Sequence, residues 1–304
     1  MNAGKSESVD KDYGLRPLWD ALLDIYEIFA DICKRHGLRH YVVYGTVLGA
    51  VRHGGFIPWD DDFDVGMPRE DYEKFIRISS KELPDNLKFV NWKNTPEFHY
   101  LFGKIQEVRR ERVEALEKQL GFMLSNGVYI DIFPIDGYPE SKLERAWIKA
   151  RDYFFRLIGR YRIYKWDDLT WKGKVARIVG MVLAPFVPRM KSQDTIFPVY
   201  EKTAKRHKFD ESTLVGDVGL WEDVLCSPCQ SRECWGKPTK HDFSGHSIMI
   251  QENPDQYLIS RYGTNYMTLP PVEDRKPSHS YPFRCAWWLG PTREVDLFGN
   301  WEQL

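Results

Sequence analysis

Asp60, Asp61, Asp62 and Asp64 fall within five residues of one another in the run WDDDFDVGM. Carboxylates packed this closely repel one another. A fold that carries them must either leave the cluster fully solvated or gather it around a cation. Phe56, Ile57, Trp59, Phe63 and Val65 surround the run and oppose full solvation, so it predicts a divalent-metal site.

The end of the run alternates polar and apolar residues, as a half-buried strand does. Residues two apart on a strand face the same way, about 6.6–6.8 Å apart. Asp62 and Asp64 are therefore expected on one face, with Phe63 and Val65 in the core behind them. Two short carboxylates on that face can converge on one Mg2+ or Mn2+ ion, at about 2.1 Å per Mg–O bond. Asp60 stands about 13 Å from Asp64 if the strand extends back that far. It joins the ion only if Ile57-Pro58-Trp59 turns it inward. Asp61 is expected on the opposite face, which makes it the weakest candidate.

A third carboxylate from a neighbouring strand would complete a two-metal arrangement. Asp131 fits, because it interrupts the apolar run GVYIDIF, where an unpaired carboxylate is costly to bury. The alternative for Asp131 is a paired, purely structural aspartate. Asp136 reads as a turn residue before Gly137.

Upstream, Tyr41 to Tyr44 reads as a strand leading into Gly45 and Thr46 and a glycine-rich loop. Successive N–H groups and a threonine hydroxyl can hold phosphate oxygens there. Arg52 and His53 offer positive charge beside the same loop, and an arginine can bind phosphate bidentately. Lys104, in FGKI, is either a further cation of the site or an exposed lysine on a sheet edge. Tyr44, Trp59, Trp92 and Tyr262 are either core or the lining of a pocket for a quaternary ammonium or a base.

The 304 residues suffice for one large or two modest domains, and the net charge of −1 gives no field that would draw the chain to nucleic acid. Residues 1–14 are polar, are expected to be disordered and carry no secretory signal. The longest apolar run, Val175 to Pro188, contains Arg177 and prolines and is shorter than the roughly 20 residues that span a membrane. The expected location is the cytoplasm, with the basic, aromatic stretch from Lys142 to Arg177 as the contact if an acceptor is met at the inner membrane surface. Cys226, Cys229 and Cys234 form CSPCQSREC, which is either half of a structural zinc site, completed by His241, His246 or Cys285, or a solvated loop with free thiols.

Helices are expected over Pro17 to His36, Arg69 to Ser80, Lys142 to Tyr164, Thr195 to Lys208 and near Asp255 to Tyr262. Strands are expected over Leu38 to Tyr44, Asp62 to Met67, Leu87 to Trp92, Tyr100 to Val108 and Gly127 to Phe133, the last ended by Pro134 and Gly137. The fold class is α+β with a small mixed sheet flanked by helices. The catalytic core is placed at 15–140, a helical insert at 141–210 and a C-terminal part of the same unit at 211–304.

A strand, Gly-Thr, an Asp-x-Asp strand and a later aspartate together resemble the nucleotidyltransferase fold. The block YGTVLGAVRHGGFIPWDDDFDVGMPREDYEKF is similar to the signature of the LicD family, which includes phosphocholine transferases and fukutin-like proteins. FGKI at Phe102, YIDIFPIDGYP at Tyr129 and YLISRYGTNYMTLPP at Tyr257 agree with it. The resemblance implies metal-dependent transfer of a phospho-alcohol, phosphocholine or a polyol phosphate, from a CDP-linked donor to a hydroxyl of a glycan or glycolipid, with CMP released. It assigns the metal to Asp62 and Asp64, with Asp60 close by and Asp131 as third acid. It matches Gly45 and Thr46 to the phosphate loop, and Arg52 and Lys104 to basic positions. Two alternatives differ in class: a nucleotidyltransferase that makes a CDP-alcohol and releases pyrophosphate, and a non-catalytic, zinc-stabilised binding protein. The cysteine cluster and the stretch from Lys142 to Pro188 match no family block, which leaves acceptor specificity open.

Overall fold

The computed structural model describes residues 14–95, 98, 100–108, 127–148, 150–151, 171, 174–175, 178–179, 182, 197–217 and 229–275. Helix α1 (Arg16–His36) opens the described chain. Leu18, Leu22, Ile25, Phe29 and Ile32 recur at helical spacing, and each is at most 1 % exposed. Pro17 sits in the first turn, and Gly37 closes the helix at φ 62°, a conformation that favours glycine.

The sheet has the order β1-β2-β5-β4-β3, built from β1 (Tyr41–Val42), β2 (Asp64–Pro68), β3 (Leu87–Val90), β4 (Gly103–Glu107) and β5 (Val128–Gly137). Strands β2 and β5 run parallel at its centre and the other pairs of this path are antiparallel. Short β6 (Leu214–Gly216) pairs with the end of β5, and β7 (Gln230–Ser231) pairs with β6. Helix α2 (Tyr44–His53) lies between β1 and β2, and α3 (Arg69–Glu82) follows β2 directly. The later elements are α4 (Phe197–Ala204), α5 (Arg232–Trp235), a hairpin of β8 (Thr239–Phe243) and β9 (His246–Ile250), and α6 (Pro254–Tyr262). The architecture is the expected α+β class with a mixed sheet.

Several local expectations are corrected. The segment after Tyr44 is helix α2, not a glycine-rich loop, and β1 is correspondingly short. Strand β2 begins at Asp64, so residues 60–63 are not strand. Strand β5 runs on through Pro134 to Gly137. The Asp131 N–H points toward β2, bonding Phe63 O at 3.0 Å, so by alternation position 134 faces the β4 side. Strand β4 pairs with β5 only as far as Ile132, so the missing proline N–H removes no ladder bond. Asp136 is not a turn residue. It is fully buried in β5 and holds Arg69 at 2.7 and 2.6 Å. Residues 142–148 are helical; most of the insert proposed to follow lies outside the described residues.

The C-terminal elements close over the front of the sheet. Trp235 meets Tyr41 and Tyr257 edge-on, and Phe243 packs against Phe56 and Phe63. Gln251 donates to Val42 O at 2.9 Å and the Met249 N–H donates to the Tyr26 hydroxyl at 2.9 Å.

Candidate active site

Pairing on three strands sets one row of polar side chains. Asp64 on β2 is in register with Asp131 on β5, and Asp131 is in register with Lys104 on β4. Residues in register across neighbouring strands share a face, so all three project together. The Lys104 ammonium lies 3.3 Å from Asp131 Oδ1 and 3.4 Å from the centre of the Tyr129 ring. Lys104 is 3 % exposed, which rules out the reading of it as an exposed edge lysine.

Residues 58–63 bring the other carboxylates to the end of this row. The Asp60 N–H closes a turn on Ile57 O at 2.8 Å, and Trp19 Nε1 holds Asp60 O at 2.8 Å. Asp60 therefore curls in. Carboxylate oxygens of Asp60, Asp61 and Asp62 lie within 4.8 Å of one another. Asp61 was expected on the opposite face and is instead a buried member of the trio. Strand alternation does not apply to it, because the strand starts only at Asp64. Burial, then the neighbouring Asp62, push the carboxyls of both Asp60 and Asp64 well above the usual carboxylate range. Asp131 adds to the rise at Asp64, while Lys104 and Arg261 oppose it.

The start of α2 faces the cluster. A Cβ on Gly45 would lie 2.7 Å from Asp60 Oδ2, so only glycine leaves that carboxylate in place. Thr46 Oγ1 accepts from the Asp64 N–H at 2.9 Å, which ties the first turn of α2 to the first residue of β2. Tyr44 takes φ 51°, costly for a bulky residue. It is held by a bond from its N–H to the Tyr257 hydroxyl at 3.2 Å and by one from its own hydroxyl to Asp217.

Arg52 and His53 do not join Gly45 and Thr46. With helix rather than loop between them, they stand about 10 Å further along its axis. Arg52 donates to Tyr266 O at 3.0 Å, and exposed His53 packs its ring against Trp59. Trp92 packs on Phe197, in a separate cluster. Cys226 and Cys285 lie outside the described residues. Cys234 is buried and its thiol is pushed up to about 12 by that burial. His246 is engaged by Glu27 at 2.7 Å.

The sequence reading missed Arg261. Its guanidinium carbon sits 4.0 Å from the centre of the Tyr44 ring, and its charge acts on Asp64. A signal was present: on a helix, Arg261 falls four residues after Tyr257 and so shares the face that carries that buried tyrosine.

The donor set suits a hard divalent cation. It is all oxygen, partly buried, and includes two carboxyls that resist ionisation beside their acidic neighbours. Among the described residues no other trio of histidine, cysteine or acidic side chains comes so close together.

Residues 37–157 match the family described as "LicD/FKTN/FKRP, nucleotidyltransferase domain". The lipopolysaccharide cholinephosphotransferase LicD of Haemophilus influenzae is 24 % identical over 266 residues, covering 84 % of this chain and 92 % of that protein. The ribitol 5-phosphate transferase FKRP of Homo sapiens is 28 % identical over 136 residues, and that of Mus musculus is 39 % identical over 136 residues. These matches span 43 % of this chain but only 23 % and 24 % of the FKRP proteins.

Proposed function

The chain is a member of the LicD/fukutin-like family, carrying its nucleotidyltransferase domain at residues 37–157, and on that footing we propose that it transfers a phospho-alcohol from a CDP-linked donor to a hydroxyl of a glycan or glycolipid. The observation that carries this reading is the union of the Asp60–Asp62 trio, the Asp64–Asp131–Lys104 row and the first turn of α2 at one place. The relatives named for phospho-alcohol transfer supply the reaction class.

Asp60, Asp61, Asp62 and Asp64 would hold the cation, with Asp131 beside them. When bound, a divalent cation neutralises charge on a diphosphate and on its leaving phosphate. The remaining work falls to the chain's own groups. The N–H groups of Gly45 and Thr46 at the start of α2 face an incoming phosphate. Lys104 fixes the orientation of Asp131 from within the sheet. Asp131 takes the proton of the acceptor hydroxyl as its oxygen attacks the phosphorus bearing the alcohol. The bond to the bridging oxygen breaks and CMP leaves with the electron pair. Such transfers depend mainly on positioning and charge stabilisation.

The test is to incubate the protein with Mg2+, a panel of CDP-linked alcohols and candidate glycans, following CMP. Release of CMP with the phospho-alcohol joined to the acceptor as a phosphodiester supports the reading, and release of pyrophosphate from CTP and a phospho-alcohol replaces it with nucleotidyl transfer. Asp62→Asn and Asp64→Asn are each expected to lower turnover by more than about a hundredfold, beyond the loss typical of outer-shell partners, with the far-ultraviolet spectrum unchanged. Near-native turnover of either variant at saturating Mg2+ overturns the assignment.

A further inference from the structure

Five carboxylates at one site create a problem for a substrate that is itself an anion. A single divalent cation does not balance both the aspartates and a diphosphate, so fixed positive charge is needed where the diphosphate lies. Lys104 and Arg52, two of the basic residues suggested by sequence, are each bonded to other groups. Lys104 is nearly fully buried against Asp131 and the Tyr129 ring. Arg52 donates to the carbonyl oxygens of Tyr266 and Thr268, and Asp60 is the carboxylate of the cluster that acts on it. Arg261 differs in placement: it comes from α6, outside the sheet, lies over Tyr44 at the start of α2, and its charge is felt at Asp64.

The surroundings of Arg261 are built to hold it. Its guanidinium packs on the Tyr44 ring at 4.0 Å, and the Asp217 carboxylate that holds the Tyr44 hydroxyl also acts on it. Tyr262, the next residue, shares a hydrogen bond with it. Tyr44, the platform, keeps its strained φ of 51° because Tyr257 and Asp217 hold it at both ends. Backbone strain kept in this way is commonly stored at functional sites. The same residue starts α2, so the platform and the Gly45–Thr46 turn move as one piece.

We infer that Arg261 is the fixed cation that grips the diphosphate of the donor, with Tyr44 as its platform. This rests on the proposed use of a nucleoside-diphosphate-linked donor. Its chemistry asks for a planar guanidinium rather than a point charge, because two phosphate oxygens can be taken by one fork. No bond is made or broken at Arg261, so it is a binding residue.

The test measures binding by calorimetry, with Mg2+ present, for wild type, Arg261→Met and Arg261→Lys, using inorganic pyrophosphate, CDP and cytidine as probes. For Arg261→Met, affinity for pyrophosphate and CDP is expected to fall about ten- to a hundredfold, while cytidine changes by less than about twofold. Arg261→Lys is expected to recover only part of the loss. Equal affinities of wild type and variant for pyrophosphate overturn the inference, and so does an equal fractional loss for cytidine. Pyrophosphate bound in an Arg261-dependent way without CDP binding refutes the cytidine-linked donor and leaves the inference standing. A wild-type protein that binds neither refutes both. Should Arg261→Met fail to fold, Arg261→Lys decides, since pyrophosphate held as tightly as by wild type again overturns the inference.

Discussion

Gly45 shows at the scale of one residue how tightly the site is drawn. A methyl group there would reach within 2.7 Å of Asp60 Oδ2, the free end of a side chain that can swing away. Gly45→Ala is therefore expected to cost under about 1 kcal/mol of stability, since alanine suits the first helical turn. Turnover should fall much further, because Asp60 must leave its place; a variant with full turnover would show that Asp60 has no part in the reaction. His40 makes a separate prediction. Burial lowers its pKa to about 4, against an opposing bond to the Leu38 backbone, and its Nε2 lies 3.1 Å from the Tyr26 hydroxyl. The unfolded chain takes up this proton near pH 6.5 and the folded chain only near pH 4, so stability is intact above pH 6.5 and falls as pH drops through that window. The gap corresponds to about 3 kcal/mol. His40→Gln should flatten this slope in urea titrations at successive pH values, and an unchanged slope would refute it. That Asp60, Asp62, Asp64, Asp131, Gly45 and Thr46 come together in the candidate site was legible, because each is a chemically unusual residue in its local pattern. Asp61 was misread because alternation was extended into a turn. The burial of Lys104 was illegible because its partner comes from a strand more than twenty residues away in the chain.

At the scale of elements, α3 is tied to the sheet by charge as well as by its apolar face. Arg69, its first residue, donates from Nε and Nη2 to the two oxygens of Asp136 on β5, and Glu73 lies 3.7 Å away. Burial disfavours the guanidinium, yet Asp136 holds it charged, above its ordinary range. Removing one partner leaves the other buried without its counter-charge, which typically costs about 3–5 kcal/mol. Asp136→Ala should therefore lower the urea midpoint sharply, with turnover per folded molecule preserved. The double variant Arg69→Met, Asp136→Leu should recover most of the loss. A single variant as stable as wild type would show that Glu73 alone suffices for Arg69. This tie also explains what sequence could reveal of the elements. Long periodic patterns such as α1 and α3 were readable within a residue or two, because amphipathic spacing is local. The extension of β5 past Pro134 was not, since proline is tolerated there only because β4 has already ended.

For the whole molecule, the decisive relation is between the front of the sheet and the chain after residue 211. Trp235, Phe243 and Tyr257 are each at most 1 % exposed, and they bury Tyr41, Phe56 and Phe63 in turn. Burying one large apolar side chain contributes about 1.5–3 kcal/mol. Three such residues contribute roughly 5–9 kcal/mol, comparable to the whole stability of an ordinary domain. The hairpin and α6 also carry hydrogen bonds that the front needs: the Tyr26 hydroxyl accepts from Met249, Val42 O from Gln251, and the Tyr257 hydroxyl from Tyr44. Position 44 could not keep its strained φ without Tyr257, and the turn at Gly45 and Thr46 would lose its aim at the carboxylates. A fragment ending at residue 212 is therefore expected to lack cooperative unfolding and to bind no divalent cation tightly, although it contains every aspartate of the site. Thermal melts by circular dichroism and a proton–nitrogen correlation spectrum of the fragment test this. A dispersed spectrum with a sharp melt would mean that the front half folds alone and that the C-terminal elements only cover it.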